Sequence, residues 1–143
     1  MKQITYAFGI FAAVAAMSIS SSVLDAQATR STADGVFTAE QAKRGEKFYA
    51  ENCSFCHGDD LKGSDVIPTL QGEAFLKTYK DKPIADLYLK INTSMPATAP
   101  GSMTPQQTAD SVAYILSVLK LPAGTTELPA KADELKTVTL VVP

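Results

Sequence analysis

The 143-residue chain contains two cysteines and one histidine, and they stand together as Cys53-Ser54-Phe55-Cys56-His57. Thiols and an imidazole at this spacing can do three kinds of chemistry. A dithiol can exchange disulfides, but that activity belongs to a βαβ setting, and no alternation of strand and helix patterns is visible. A structural zinc ion takes four ligands; the chain has three Cys and His residues, so an acidic fourth would have to be found. Cys-x-x-Cys-His is also the haem-attachment sequence. Each thiol adds across one vinyl group of the macrocycle, and the imidazole that follows projects towards the iron. This last reading uses all three residues at once. The expected cofactor is one covalent haem c, with Cys53 and Cys56 as its thioether carriers and His57 as an axial ligand of the iron.

The sixth iron position decides what such a group does. With no second histidine in the sequence, bis-His ligation is excluded. Met1 and Met17 fall in the N-terminal apolar segment, which leaves Met95 and Met103. A thioether trans to imidazole favours reduced iron and raises the potential, as suits electron transfer. Pro96 stiffens the chain just after Met95. Met103 directly precedes a helix, where an apolar side chain commonly packs as a staple. Met95 is therefore the expected second axial ligand. The other nitrogen of His57 should be held by an acceptor such as a carbonyl, and the loop residue Pro68 offers one. A peroxidase-like enzyme or a ligand sensor would need an open sixth site and a distal proton shuttle, for which a second histidine is the usual choice. The expectation is a protein that carries electrons and is not an enzyme.

The surrounding elements must position these groups. Met1-Lys2, the uncharged run Ile4 to Met17 and the Ala26-Gln27-Ala28 stretch follow the order of a secretory signal peptide. The apolar run is shorter than the roughly 20 residues of a membrane span. Residues 1–28 are expected to be cleaved on export to the periplasm, leaving a chain with no membrane-spanning segment. Residues 29–37 read as a flexible arm, 38–121 as the folded domain and 122–143 as an extended tail. Thr38 and Gln41 form a capping-box pattern, opening a helix that should reach Asn52. Ala42, Gly45, Phe48 and Tyr49 share one of its faces. Gly45 costs roughly 1 kcal/mol against Ala there, which suits the close crossing of another helix. Residues 58–72 have Gly and Pro without a period and form a loop. Short helices are expected over 73–79 and 84–92. Thr104-Pro105-Gln106-Gln107 starts the last helix, with Ala109, Val112, Ile115, Leu116 and Leu119 as its apolar face. The fold class is all-α. A net charge of −2 lacks the basic excess of a nucleic-acid binder. Lys77, Lys80, Lys82 and Lys90 are interrupted by Asp81 and Asp86, so an ordinary mixed surface is expected there.

Taken together, Gly45-x-x-x-Tyr49, Cys53-Ser54-Phe55-Cys56-His57-Gly58 and Ala113-Tyr114-Ile115-Leu116 resemble the class I mono-haem cytochrome c family, over about Ala39 to Leu119. The resemblance implies a small cytochrome c fold, its N- and C-terminal helices crossing and its short helices and loops wrapping the haem. Ile67-Pro68-Thr69-Leu70-Gln71-Gly72 resembles the segment whose proline carbonyl accepts the histidine hydrogen bond and whose leucine packs on the haem. That makes Pro68 and Leu70 pocket residues. Tyr79 stands where relatives often place a tryptophan near the propionates, and this chain has no Trp. Met95-Pro96-Ala97 with Pro100-Gly101-Ser102 resembles the methionine loop of a subgroup found with quinoprotein (alcohol) dehydrogenases. In that subgroup a leucine commonly stands at the position of Met103. The implied partners are redox proteins, a quinoprotein dehydrogenase as donor or a terminal oxidase as acceptor. The implied state is a monomer or a subunit of a redox complex.

Overall fold

A computed structural model describes residues 29–142; the expected signal peptide, residues 1–28, lies outside them. The elements run β1 (Arg30–Ser31), a 3₁₀ turn (Thr32–Asp34), α1 (Ala39–Asn52), α2 (Ser54–His57), α3 (Gly72–Tyr79), α4 (Ile84–Ser94), α5 (Pro105–Val118), α6 (Ala132–Leu135) and β2 (Val138–Thr139). Helix carries the fold, as expected. Among the described residues no helix is long and apolar enough to cross a membrane.

The most extensive packing is between α1 and α5. A Cβ at position 45 would overlap the carbonyl oxygen of Asp110 and come within 2.9 Å of the Tyr114 Cβ. Glycine is what lets the two backbones meet. On either side of the crossing the contact is fixed by different chemistry. The Arg44 guanidinium holds the carboxylate of Asp110 through two bonds of 3.0 Å and reaches Glu127 at 2.9 Å. Tyr49 and Tyr114 stack obliquely with ring centroids 5.3 Å apart. The apolar face of α5 reads as its spacing predicts, with Ala109, Val112, Ile115 and Leu116 buried and Leu119 only partly so. Its cap is complete: the Gln107 N–H donates to the Thr104 hydroxyl at 3.2 Å and the Thr104 N–H to the Gln107 side chain at 2.8 Å.

The cap on α1 is only half of the expected box. The Gln41 N–H does donate to the Thr38 hydroxyl, but the Gln41 side chain is turned inwards. Its amide donates to the Leu128 carbonyl at 3.0 Å, and its carbonyl accepts from the Leu128 N–H at 2.7 Å. Gln41 therefore serves as a strand partner for the tail.

Both ends of the described residues depart from the expected loose arm and plain strap. Residues 29–37 are packed, with Thr32, Val36 and Phe37 in the interior. The Thr32 hydroxyl donates to the Val141 carbonyl at 2.7 Å and accepts from the Val141 N–H at 2.9 Å. β1 pairs with β2 in parallel, Arg30 beside Val138 and Ser31 beside Thr139. The tail contains α6 and buries Leu128, Leu135, Val138 and Leu140, each burial being worth roughly 1.5–3 kcal/mol. Bonds between the Asp81 N–H and the Leu140 carbonyl and between the Leu140 N–H and the Lys82 carbonyl fasten it beside the α3–α4 turn. The polar composition of 29–35 hid this packing, because the buried partner of Thr32 is backbone more than a hundred residues away.

Replacing Gln41 with Leu would strand two buried backbone groups at Leu128. Each such loss costs about 1–3 kcal/mol. Urea unfolding of Gln41→Leu should show a loss of about 2–4 kcal/mol, and a change below about 0.5 kcal/mol would contradict the anchoring role.

Candidate haem-binding site

α1 breaks at Cys53, where φ is −125° and ψ −32°, and α2 follows at once. The Cys53 carbonyl accepts from the N–H groups of both Cys56 and His57. Cys53, Cys56 and His57 thus occupy positions i, i+3 and i+4 of one helical turn, the spacing that brings side chains to a common face. The two cysteines are not bridged. Cys56 is exposed and Cys53 half-buried, and burial pushes the Cys53 thiol up, with the neighbouring Cys56 adding to the shift. Disulfide exchange needs the opposite, a thiolate favoured near neutral pH.

His57 is buried, and its Nδ1 lies 3.0 Å from the Pro68 carbonyl oxygen. A carbonyl can only accept, so Nδ1 carries a proton, and in the neutral imidazole the lone pair then sits on Nε2. The imidazole is held by one nitrogen with the other left to act as a ligand. The 58–72 loop makes this possible. The Gly63 N–H donates to the His57 carbonyl at 2.8 Å and the Leu70 N–H to the Leu61 carbonyl at 2.8 Å, while the Thr69 hydroxyl reaches the same Leu61 oxygen. At Gly63, φ is +67°, and a Cβ there would overlap the Ile67 carbonyl and approach the Pro68 oxygen to 2.8 Å. Leu61 also sits at positive φ, +61°, a conformation that costs a branched residue roughly 1–2 kcal/mol. Its fully buried side chain and doubly used carbonyl offset that strain.

The other expected residues lie on separate elements. Leu70 is half-buried against the core at the end of the loop. Tyr79 is half-buried at the end of α3, stacked on Phe75 with centroids 4.8 Å apart. Met95 caps α4, half-buried, its N–H bonded to the Ile91 carbonyl. Met103 is only 6% exposed and belongs to the core. Sequence reasoning missed the role of Tyr49 at this site: its hydroxyl donates to the Gly58 carbonyl at 2.7 Å, pinning the residue just after His57. The spacing of Tyr49 before the motif was a usable signal. Leu61 had none, since nothing local marks it for positive φ.

The donor set fits a c-type haem. Two unbridged thiols and an imidazole with a free nitrogen share one turn, and a soft thioether is left half-buried elsewhere. Among the described residues, no group of three His, Cys, Asp or Glu side chains converges as a metal-ion site. Residues 40–115 match the family model described as cytochrome c oxidase, cbb3-type, subunit III. The chain belongs to this cytochrome c family. Membership makes it a haem protein of electron transfer, with its haem bound covalently. Among solved structures, the chain is similar to the sulfane dehydrogenase SoxCD from Paracoccus pantotrophus, at 22% identity and a TM-score of 0.49. That similarity covers 69% of this chain and 52% of that one, so the chain spans about half the length of this neighbour. No curated protein matches the chain.

Burial, the largest cause, together with nearby negative charges including those of Asp59 and Asp60, holds the Tyr49 phenol protonated well above its ordinary value near 10. An unfolded chain ionises there while the folded one does not, so this contribution is intact below pH 10 and is lost as pH rises further. Tyr79, Tyr88 and Tyr114 shift the same way, chiefly through burial. Tyr49→Phe should be about 1 kcal/mol less stable near pH 8 through the lost Gly58 bond. Denaturant titrations should also show it losing stability less steeply above pH 10, by up to about 1.4 kcal/mol per pH unit. An unchanged slope would contradict the burial of that hydroxyl.

Proposed function

We propose that this cytochrome is a periplasmic carrier of single electrons, with one haem c linked to Cys53 and Cys56 and axial ligands His57 and Met95. The observation that carries the proposal is the His57–Pro68 hydrogen bond, which fixes the tautomer and leaves Nε2 as the donor nitrogen on the turn that bears both thiols. A haem held there supplies one reversibly exchanged electron. The chain's own residues do the rest. Pro68 orients the imidazole and raises its basicity, as outer partners of ligating histidines do. Leu70, half-buried against the core in the loop that bears Pro68, shields the site from water and keeps the local dielectric low, which tunes the potential. Tyr49 and Gly63 keep the loop that bears Pro68 from drifting.

Burial supports Met95 over Met103. Met103 is 6% exposed, and a side chain packed that closely would have to move in order to ligate, whereas Met95 ends α4 half-buried. If His57 and Met95 both held the iron, they would leave no site for a substrate, and the chain would carry electrons without catalysis of its own. Export rests on the N-terminal charge and apolar pattern. The partners we propose are a dehydrogenase as donor, the quinoprotein class being the one that the Met95 loop resembles, and a terminal oxidase as acceptor. The oxidase is the class named in the description of the matching family.

Optical spectra of the reduced protein with and without carbon monoxide test the ligand set. The native chain should give a low-spin spectrum that carbon monoxide does not alter. Met95→Ala should become high-spin and bind carbon monoxide, and Met103→Leu should behave as the native chain does. Rapid carbon monoxide binding by the native protein, or an unchanged spectrum in Met95→Ala, would contradict it.

A further inference from the structure

We propose that Tyr88, Asn92 and Thr108 are positioning residues for Met95: together they close the base of the loop that carries it, and so set how firmly its sulfur is held for the iron. This rests on the reading of Met95 as the second axial ligand and names the residues that keep it in place.

The chain from Met95 to Thr104 links α4 to α5, and its middle is tied only to itself. Among the described residues, the hydrogen bonds of 96–102 close two local turns. The Ala99 N–H donates to the Pro96 carbonyl at 2.9 Å and the Ser102 N–H to the Ala99 carbonyl at 3.2 Å. What fixes the loop is its base. In the last turn of α4 the Asn92 amide donates to the Thr108 hydroxyl at 3.0 Å, and that hydroxyl donates in turn to the Thr104 carbonyl at 3.1 Å. The two ends of the loop are thereby joined through one side-chain relay. One turn further back, the Tyr88 hydroxyl lies between two carbonyls, that of Pro105 at 3.4 Å and that of Ala130 at 3.2 Å.

Tyr88 and Asn92 stand at i and i+4 of α4, so both reach α5 from one face of the helix. Thr108 is fully buried and Tyr88 nearly so. Water cannot replace their partners, and a bond removed there stays unmade. The Ala130 bond brings in a third body. The C-terminal tail packs on α4 through α6, and it is seated on the same hydroxyl that meets the start of α5. Core packing alone would be served equally well by phenylalanine at 88 and valine at 108; the two hydroxyls are there for the polar ties. A thioether is a weak, uncharged donor, so its hold on a metal depends on how much freedom its loop loses on binding. A loop already closed at its base has less to lose.

Titration of the oxidised holoprotein with imidazole, followed optically, measures the hold of Met95, because imidazole binds by displacing it. Tyr88→Phe, Asn92→Leu and Thr108→Val each remove a polar tie and keep the bulk of the side chain. Each should bind imidazole about fivefold to thirtyfold more tightly than the native chain. Thr108→Ser, which keeps the hydroxyl, should stay near the native affinity. Thr32→Val cuts the tie to Val141 at the far end of the tail; it should lower stability in urea and leave the imidazole affinity as it is. Adding Tyr88→Phe to Met95→Ala should change the affinity no further. Native affinity in the Tyr88, Asn92 and Thr108 variants, an equal gain in Thr32→Val, or a Tyr88→Phe effect that persists without Met95 overturns the positioning role alone. A Met95→Ala variant that binds imidazole no more tightly than the native chain overturns the ligand reading and the positioning role with it.

Discussion

Two helices can bring their backbones into contact only where one of them lacks a side chain, and α1 does so at Gly45 against the Asp110 carbonyl of α5. The rest of the site hangs from that approach. With α1 laid tightly on α5, its C-terminal turn is fixed, and Cys53, Cys56 and His57 leave the core in a set direction. Arg44 closes one side of the crossing by neutralising the nearly buried Asp110, which would otherwise be a costly isolated charge. The Tyr49–Tyr114 pair closes the other, and the Tyr49 hydroxyl carries the constraint onward to Gly58. A side chain at position 45 would separate the helices and loosen His57 together with the core.

From Gly58 onwards the constraint passes through backbone. The loop that follows His57 folds back so that Pro68, which has no N–H to place, offers its carbonyl to Nδ1. Gly63 makes that return possible by lacking a Cβ where the Ile67 and Pro68 oxygens converge. Such an arrangement puts orientation and tautomer under the control of one hydrogen bond, and it leaves the other nitrogen with a single role. The same turn of loop exposes Val66 and the carboxylates near it.

Much of this was legible in the sequence because it depends on short spacings. Cys-x-x-Cys-His needs one helical turn, the Thr104–Gln107 box is local, and the apolar face of α5 follows from a period of 3.6. Gly45 could be read as a crossing point because glycine within a helix costs stability unless something gains from it. What was not legible depends on partners distant in sequence. Gln41 has the residue type and the position of a capping box, yet its amide pairs with Leu128. Thr32 reads as a polar arm residue and is buried as a strand surrogate for Val141. The weak alternation near the C-terminus signalled an extended chain but not the parallel partner at Arg30–Ser31. Leu61 has a conformation that no local pattern announces.

The role proposed for this site depends on whether Cys53 and Cys56 carry a covalently bound haem. Intact mass spectrometry of the purified native protein under denaturing, reducing conditions reads it directly. The polypeptide should be heavier by the mass of one haem, and Cys53→Ser/Cys56→Ser should lose that increment. A native chain with the bare polypeptide mass, whether its cysteines are free or bridged, would contradict the account.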